Sequence, residues 1–348
     1  MVLLCNTNFI FYNKLKICVT FFINIMKFRT EINIKPPHFF LSHQQKIVSL
    51  GSCFADTIGE KLKENKFNIL KNPFGNLFHP IALTKIIDFG INPDKKYQKM
   101  HINRDNIWLN YYFHSDISAD TIENLENIID EKINVIHQFI QKIDVLMLTF
   151  GTAFIYEHIE NQEIVSNCHK QNPNIFQKKL LSIEEITTNF EKTYLSLQKI
   201  NPNLKIILTL SPVRHSKEDL ASDHLSKSIL RVATHLISEK YKENIYYFPA
   251  FEILNDDLRD YRFYADDLIH PNSQAQNYIW EKFKTIFFDT STQKIMADWQ
   301  KIYQNIQHKP RNKNNPDYHI FIEKIKKDLE KINALIDVED EIGSLLSF

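Results

Sequence analysis

The chain has 348 residues, 43% of them hydrophobic and 24% charged, with Lys plus Arg equal to Asp plus Glu at 42 each. That length supports a sizeable core in one large domain or two smaller ones, and the balanced charge removes any net field that would recruit nucleic acid or an anionic membrane. Four Cys without CxxC spacing and 14 scattered His without a ligand pair argue against a disulfide framework, so neither a metal nor another cofactor is expected.

Residues 1–25 end in the apolar run Ile17–Ile25 behind Lys14 and Lys16. The run is too short to span a bilayer and no small-residue cleavage site follows it, so residues 1–25 read as upstream sequence or a weak signal-like segment, with Met26 as the start. A cytoplasmic location is expected, with secretion as the alternative. Lys46–Leu50 then reads as a strand, Ala55–Asn65 as a helix with apolar residues spaced by four, and Phe67–Leu70 as a short strand before the turn-rich Asn72–Asn76. Pro80–Phe89 is helical, Ile107–Phe113 reads as a strand of an inserted element, and Ala119–Lys142 as a long helix. Asp144–Phe150 and Leu204–Leu210 are apolar at nearly every position, as buried parallel strands are. The helices Ser182–Ile200 and Leu225–Tyr241 and the strand Ile245–Phe248 complete an α/β alternation, which predicts a parallel sheet covered on both faces. In such sheets, sites form beyond the C-terminal ends of the strands. His308–Asp317 reads as a linker. Ile322, Ile325, Leu329, Ile332 and Ile336 then make an amphipathic helix that either docks on the domain or pairs with a second copy as a homodimer. The expected division is 1–25, a domain at 26–300, and linker plus helix at 301–348.

Two segments carry chemistry. Ser52, in Gly51-Ser52-Cys53, sits at a strand-to-helix corner, where a helix N-terminus favours developing negative charge. The same position suits a helix cap. Asp267 and His270 are three apart. On one side of a helical turn, the carboxylate would fix the imidazole tautomer while the other nitrogen faces a nucleophile. The residues Pro271, Asn272 and Ser273 read as the start of the next helix. Gly75 and the Gly151-Thr152 pair are candidate suppliers of backbone N–H to an oxyanion. Cys53 is a rival nucleophile beside Ser52, although Cys is often a small buried apolar residue.

Gly51-Ser52-Cys53-Phe54-Ala55 resembles the signature of the GSCFA domain family, which is grouped with the SGNH/GDSL hydrolase superfamily. Further segments resemble the family pattern in order and spacing: Asn72–Gly75, Leu148–Thr152, Ser166–Lys170, Ser211–His215, Ser226–Ser228 and Asp267–Pro271. The resemblance covers about residues 26 to 290. It implies a flavodoxin-like three-layer α/β/α sandwich and a serine hydrolase site, with Ser52 as nucleophile, Asp267 and His270 completing a triad, and Gly75 and the Ser52 backbone N–H in the oxyanion hole. The superfamily's usual Gly-x-Asn-Asp block is replaced here by Gly151-Thr152-Ala153-Phe154, leaving Thr152 or Asn167 to supply the missing donor. His169, Lys170, Arg214 and Lys227 have no derived role. If they converge, they suit an acidic or hydroxyl-rich substrate. The expected substrate is a small-molecule or glycan ester. An O-acyltransferase and a non-catalytic binding module on the same fold are the alternatives.

Overall fold

The computed structural model describes residues 29–93, 96–215, 219–307 and 316–346. In chain order the strands are β1 (Ile47–Gly51), β2 (Ile69–Lys71), β3 (His101–Arg104), β4 (Ile107–Asn110), β5 (Val145–Phe150), β6 (Phe154–His158), β7 (Ile164–Val165), β8 (Phe176–Leu180), β9 (Lys205–Leu210) and β10 (Ile245–Phe248). The helices are α1 (Cys53–Glu64), α2 (Pro80–Ile91), α3 (Ile122–Ile140), α4 (Ile183–Ile200), α5 (Leu220–Lys240), α6 (Ala250–Glu252), α7 (Ser273–Phe287), α8 (Thr290–Gln307), α9 (Pro316–Ile332) and α10 (Glu339–Leu346).

Five strands pair in parallel in the order β10-β9-β5-β1-β2. Numbered along the chain within this sheet, the order is 2-1-3-4-5, the flavodoxin-like doubly wound arrangement. The period of two along each strand sorts side chains between two cores. Val48, Leu50, Leu146, Leu148, Phe150, Ile206 and Leu208 face a core shared with α2, α3, α4 and α5. Ile47, Val145, Met147 and Ile207 face a second core with α1 and α7. With helices on both faces, β1, β5 and β9 are buried on both sides and mostly apolar, and the fold is the expected three-layer α/β/α sandwich. The order reverses between β1 and β5, and the corners after these two strands are Ser52 and Gly151.

Several local expectations are corrected. The strand ends at Asn110 rather than Phe113, because Asn110 Oδ1 accepts from Tyr112 N (2.9 Å) and its carbonyl accepts from Phe113 N (3.1 Å), which turns the chain. β4 instead pairs with β3 across Asp105 and Asn106, both at positive φ. Helix α5 begins five residues earlier than its apolar pattern suggests, because Asp219 caps it through Ser222 N (2.9 Å). The antiparallel sheet β7-β6-β8 was not anticipated: its strands mix exposed and charged residues, as in Phe176-Gln177-Lys178-Lys179-Leu180, and so lack an apolar run.

The C-terminal stripe is covered within the chain. Ile325, Leu329, Ile332 and Ile336 pack with Trp299 and Ile302 of α8, so this face is occupied rather than left for a second copy. The expected boundary at 300/301 falls inside α8. Residues 1–25 and most of the expected 308–317 linker lie outside the described residues. Among the described residues no helix is long and apolar enough to cross a membrane.

Candidate active site

Gly51 ends β1 at φ +150°, and a Cβ there would lie 2.4 Å from the Thr149 carbonyl oxygen, so the corner needs glycine. Ser52 follows as the N-cap of α1. Its Oγ accepts from Phe54 N (3.4 Å) and donates to Ser211 Oγ (2.8 Å), and the residue is 1% exposed. The capping role and the candidate nucleophilic role thus fall on one oxygen. Cys53 is half-buried, and burial pushes its thiol pKa up, which disfavours the thiolate.

Asp267 and His270 meet directly: Nδ1 lies 2.7 Å from Oδ2. They do so on a side-chain-capped turn rather than the expected helical turn. Asp267 Oδ1 accepts from Ile269 N (2.9 Å) and His270 N (3.0 Å), and Leu268 sits at φ +57°. These bonds, first the His270 backbone N–H and then its ring, lower the Asp267 pKa to about 2. Both side chains are 44% exposed, and His270 Nε2 has no hydrogen-bond partner among the described residues.

Arg214 holds this turn against the segment that follows β9. Its N–H donates to the Ile269 carbonyl (3.2 Å) and Nη1 to the Leu268 carbonyl (3.3 Å), while the guanidinium lies 4.2 Å from the Tyr264 ring centre. Among the described residues no hydrogen bond joins Ser52 to His270. The connection runs through Ser211, which also accepts from Val213 N (3.3 Å), and then Arg214.

The expected oxyanion donors are engaged within the backbone. Ser52 N donates to the Thr149 carbonyl (3.3 Å), Gly75 N to Asn72 (2.9 Å), and Gly151 N to Phe78 (2.7 Å). Gly75 sits at φ +75° with the His114 side chain packed over it. Thr152 Oγ1 bonds Ser226 Oγ (3.1 Å) and accepts from Phe154 N (3.1 Å). Asn167 Oδ1 accepts from His169 N (2.8 Å), and buried His169 reaches the Asn110 carbonyl through Nε2 (2.8 Å), with burial lowering its pKa. His169 and Asn167 therefore tie the β3–β4 insertion together.

Lys227 is no surface cation. It is 1% exposed, and Nζ donates to the carbonyls of Gly151 (2.7 Å), Ser211 (2.8 Å) and Val213 (3.1 Å), fastening the ends of β5 and β9 together. Burial pushes its pKa down to about 8, while the nearby Asp223 carboxylate favours the ammonium. The signal was present in the sequence: Asp223, Ser226, Lys227, Leu230, Ala233 and Ile237 follow the helical period of one inward face. Ser211, Asn72 and Asn76 were also missed as residues that shape the corner.

The fold and these groups define an α/β protein with a doubly wound parallel sheet and a polar cluster at its C-terminal edge. A model of the GSCFA family matches residues 46–283, and the chain belongs to that family. A model described as the GSCFA domain protein, C-terminal domain, matches residues 299–347, the segment that holds α9 and α10. No curated protein matches the chain.

Proposed function

We propose that the protein is a serine hydrolase of the SGNH/GDSL type that cleaves an ester, a small acyl group on a carbohydrate or other hydroxylated compound, through an acyl-enzyme on Ser52. The observation that carries this reading is the Asp267–His270 pair. Its imidazole has one nitrogen committed to carboxylate and the other without a partner, on a turn that Arg214 fastens to the segment whose Ser211 holds the Ser52 hydroxyl. The mechanism requires a rotation about Ser52 χ1 that releases Ser211 and brings Oγ to His270 Nε2. The imidazole takes the proton as Oγ attacks the acyl carbonyl, and returns it to the departing alcohol. Water then attacks the acyl-enzyme with His270 again as base, and the carboxylic acid leaves. Asp267, held ionised, stabilises the imidazolium. With a sugar hydroxyl in place of water, the same steps give an O-acyltransferase.

A second reading, a ligand-binding module without turnover, is favoured by the buried Ser52 and by the engagement of the Ser52, Gly75 and Gly151 N–H groups. A fluorophosphonate probe and p-nitrophenyl acetate separate the two. Labelling and turnover lost in Ser52→Ala but kept in Cys53→Ser are expected. Loss in Cys53→Ser alone moves the nucleophile by one residue, and no labelling of any form favours the binder.

A further inference from the structure

We infer that Asn76 supplies the side-chain oxyanion donor that the Gly151-Thr152-Ala153-Phe154 segment lacks, an inference that rests on the hydrolase reading of the Ser52 site. A chain of amides sets its orientation. The Gly51 backbone N–H, which can only donate, points at Asn72 Oδ1 (2.9 Å). That fixes the Asn72 amide, so its Nδ2 donates to Asn76 Oδ1 (2.8 Å). Asn76 Nδ2 must then face the other way, and it lies 3.7 Å from the Sγ of Cys53, the residue that follows Ser52 and opens α1. A thiol sulfur is a weak acceptor, and burial keeps this thiol protonated, so the Asn76 N–H groups are held in place without a strong partner.

This sets Asn76 apart from the backbone donors around Ser52. The N–H groups of Ser52, Gly75 and Gly151 all point at carbonyls, whereas the Asn76 amide is oriented by its oxygen and leaves its nitrogen for a ligand. A donor fixed before the reaction stabilises charge with no reorganisation when the tetrahedral oxygen forms, and losing one such donor costs about 10²–10³ in kcat. The residue sits in the Asn72–Asn76 turn one position after Gly75, so the two candidate donors share one loop.

The test uses the full chain, p-nitrophenyl acetate and a fluorophosphonate. In Asn76→Ala and Asn76→Asp, kcat is expected to fall by about 10²-fold, with KM and melting temperature near those of the unchanged protein, and labelling of Ser52 is expected to slow. Asn76→Asp is the sharper variant, because it keeps the acceptor for Asn72 while replacing the donor by an oxygen. If the unchanged protein is labelled at Ser52 but both variants turn over at its rate, the Asn76 assignment is overturned and the hydrolase reading stands. If Ser52 is not labelled in the unchanged protein, both fall together.

Discussion

The Ser52 hydroxyl donates to Ser211 Oγ at 2.8 Å, so the oxygen proposed to attack a substrate is held on β9's side of the sheet rather than on His270. Ser211 is fully buried and also accepts from Val213 N. Ser211→Ala therefore removes the anchor of the resting rotamer and leaves Val213 N–H without its acceptor. The expected outcome is faster fluorophosphonate labelling of Ser52 together with a stability loss of about 1–3 kcal/mol. Slower labelling of a folded variant would instead make Ser211 part of the reacting geometry.

Arg214 acts on His270 through the turn. Arg214→Ala removes the bond to the Leu268 carbonyl and the stacking on Tyr264, while the backbone bond to Ile269 survives. About a tenfold fall in kcat is expected, since even a misplacement of about 1 Å in the reacting geometry can cost up to about 10²-fold and the backbone bond limits the shift here. KM should hold, and amide exchange across residues 267–270 should rise. A raised KM with unchanged exchange would place Arg214 on the substrate instead.

How much of this could be read from the residues depended on where the information lies. The parallel sheet was legible because both faces of β5 and β9 are buried, so nearly every residue in them is apolar. The Asp267–His270 contact was legible because a spacing of three brings the groups together in a tight turn. The engagement of the Gly75 and Gly151 N–H groups was not, because backbone partners such as Asn72 and Phe78 leave no mark on composition. Lys227 was legible only in part: the period of α5 places it on the inward face, but its three acceptors are carbonyls, which any residue can supply.

Those carbonyls make Lys227 a stability determinant. Lys227→Met keeps the length and the apolar stem but strands the Gly151, Ser211 and Val213 carbonyls in a buried setting. An unsatisfied buried group costs about 1–3 kcal/mol, and three of them outweigh the gain from no longer burying a charge. Urea unfolding should show a loss of about 3 kcal/mol or more. A variant as stable as the unchanged protein would mean that the strand ends hold together without the ammonium.

Acid sensitivity should trace in part to His79. Ala82 N donates to its Nδ1 (3.1 Å), so the ring proton sits on Nε2 and points at the Val165 carbonyl (3.1 Å). A second proton would have to displace the Ala82 bond in a buried site, and burial lowers the pKa from 6.5 to about 4. Because the folded pKa is the lower one, the unfolded chain binds more protons between these values, and stability rises with pH there. The contribution is complete above pH 6.5 and is lost as pH falls to about 4. A shift of this size is worth about 3 kcal/mol. His43 and His169, whose pKa values are also lowered by burial, act in the same direction, so the comparison must isolate His79. His79→Asn keeps an acceptor for Ala82 N and removes the titration. Urea unfolding across this pH range should show a shallower acid loss in His79→Asn than in the unchanged protein. Parallel curves would show that His79 titrates alike in the folded and unfolded chains.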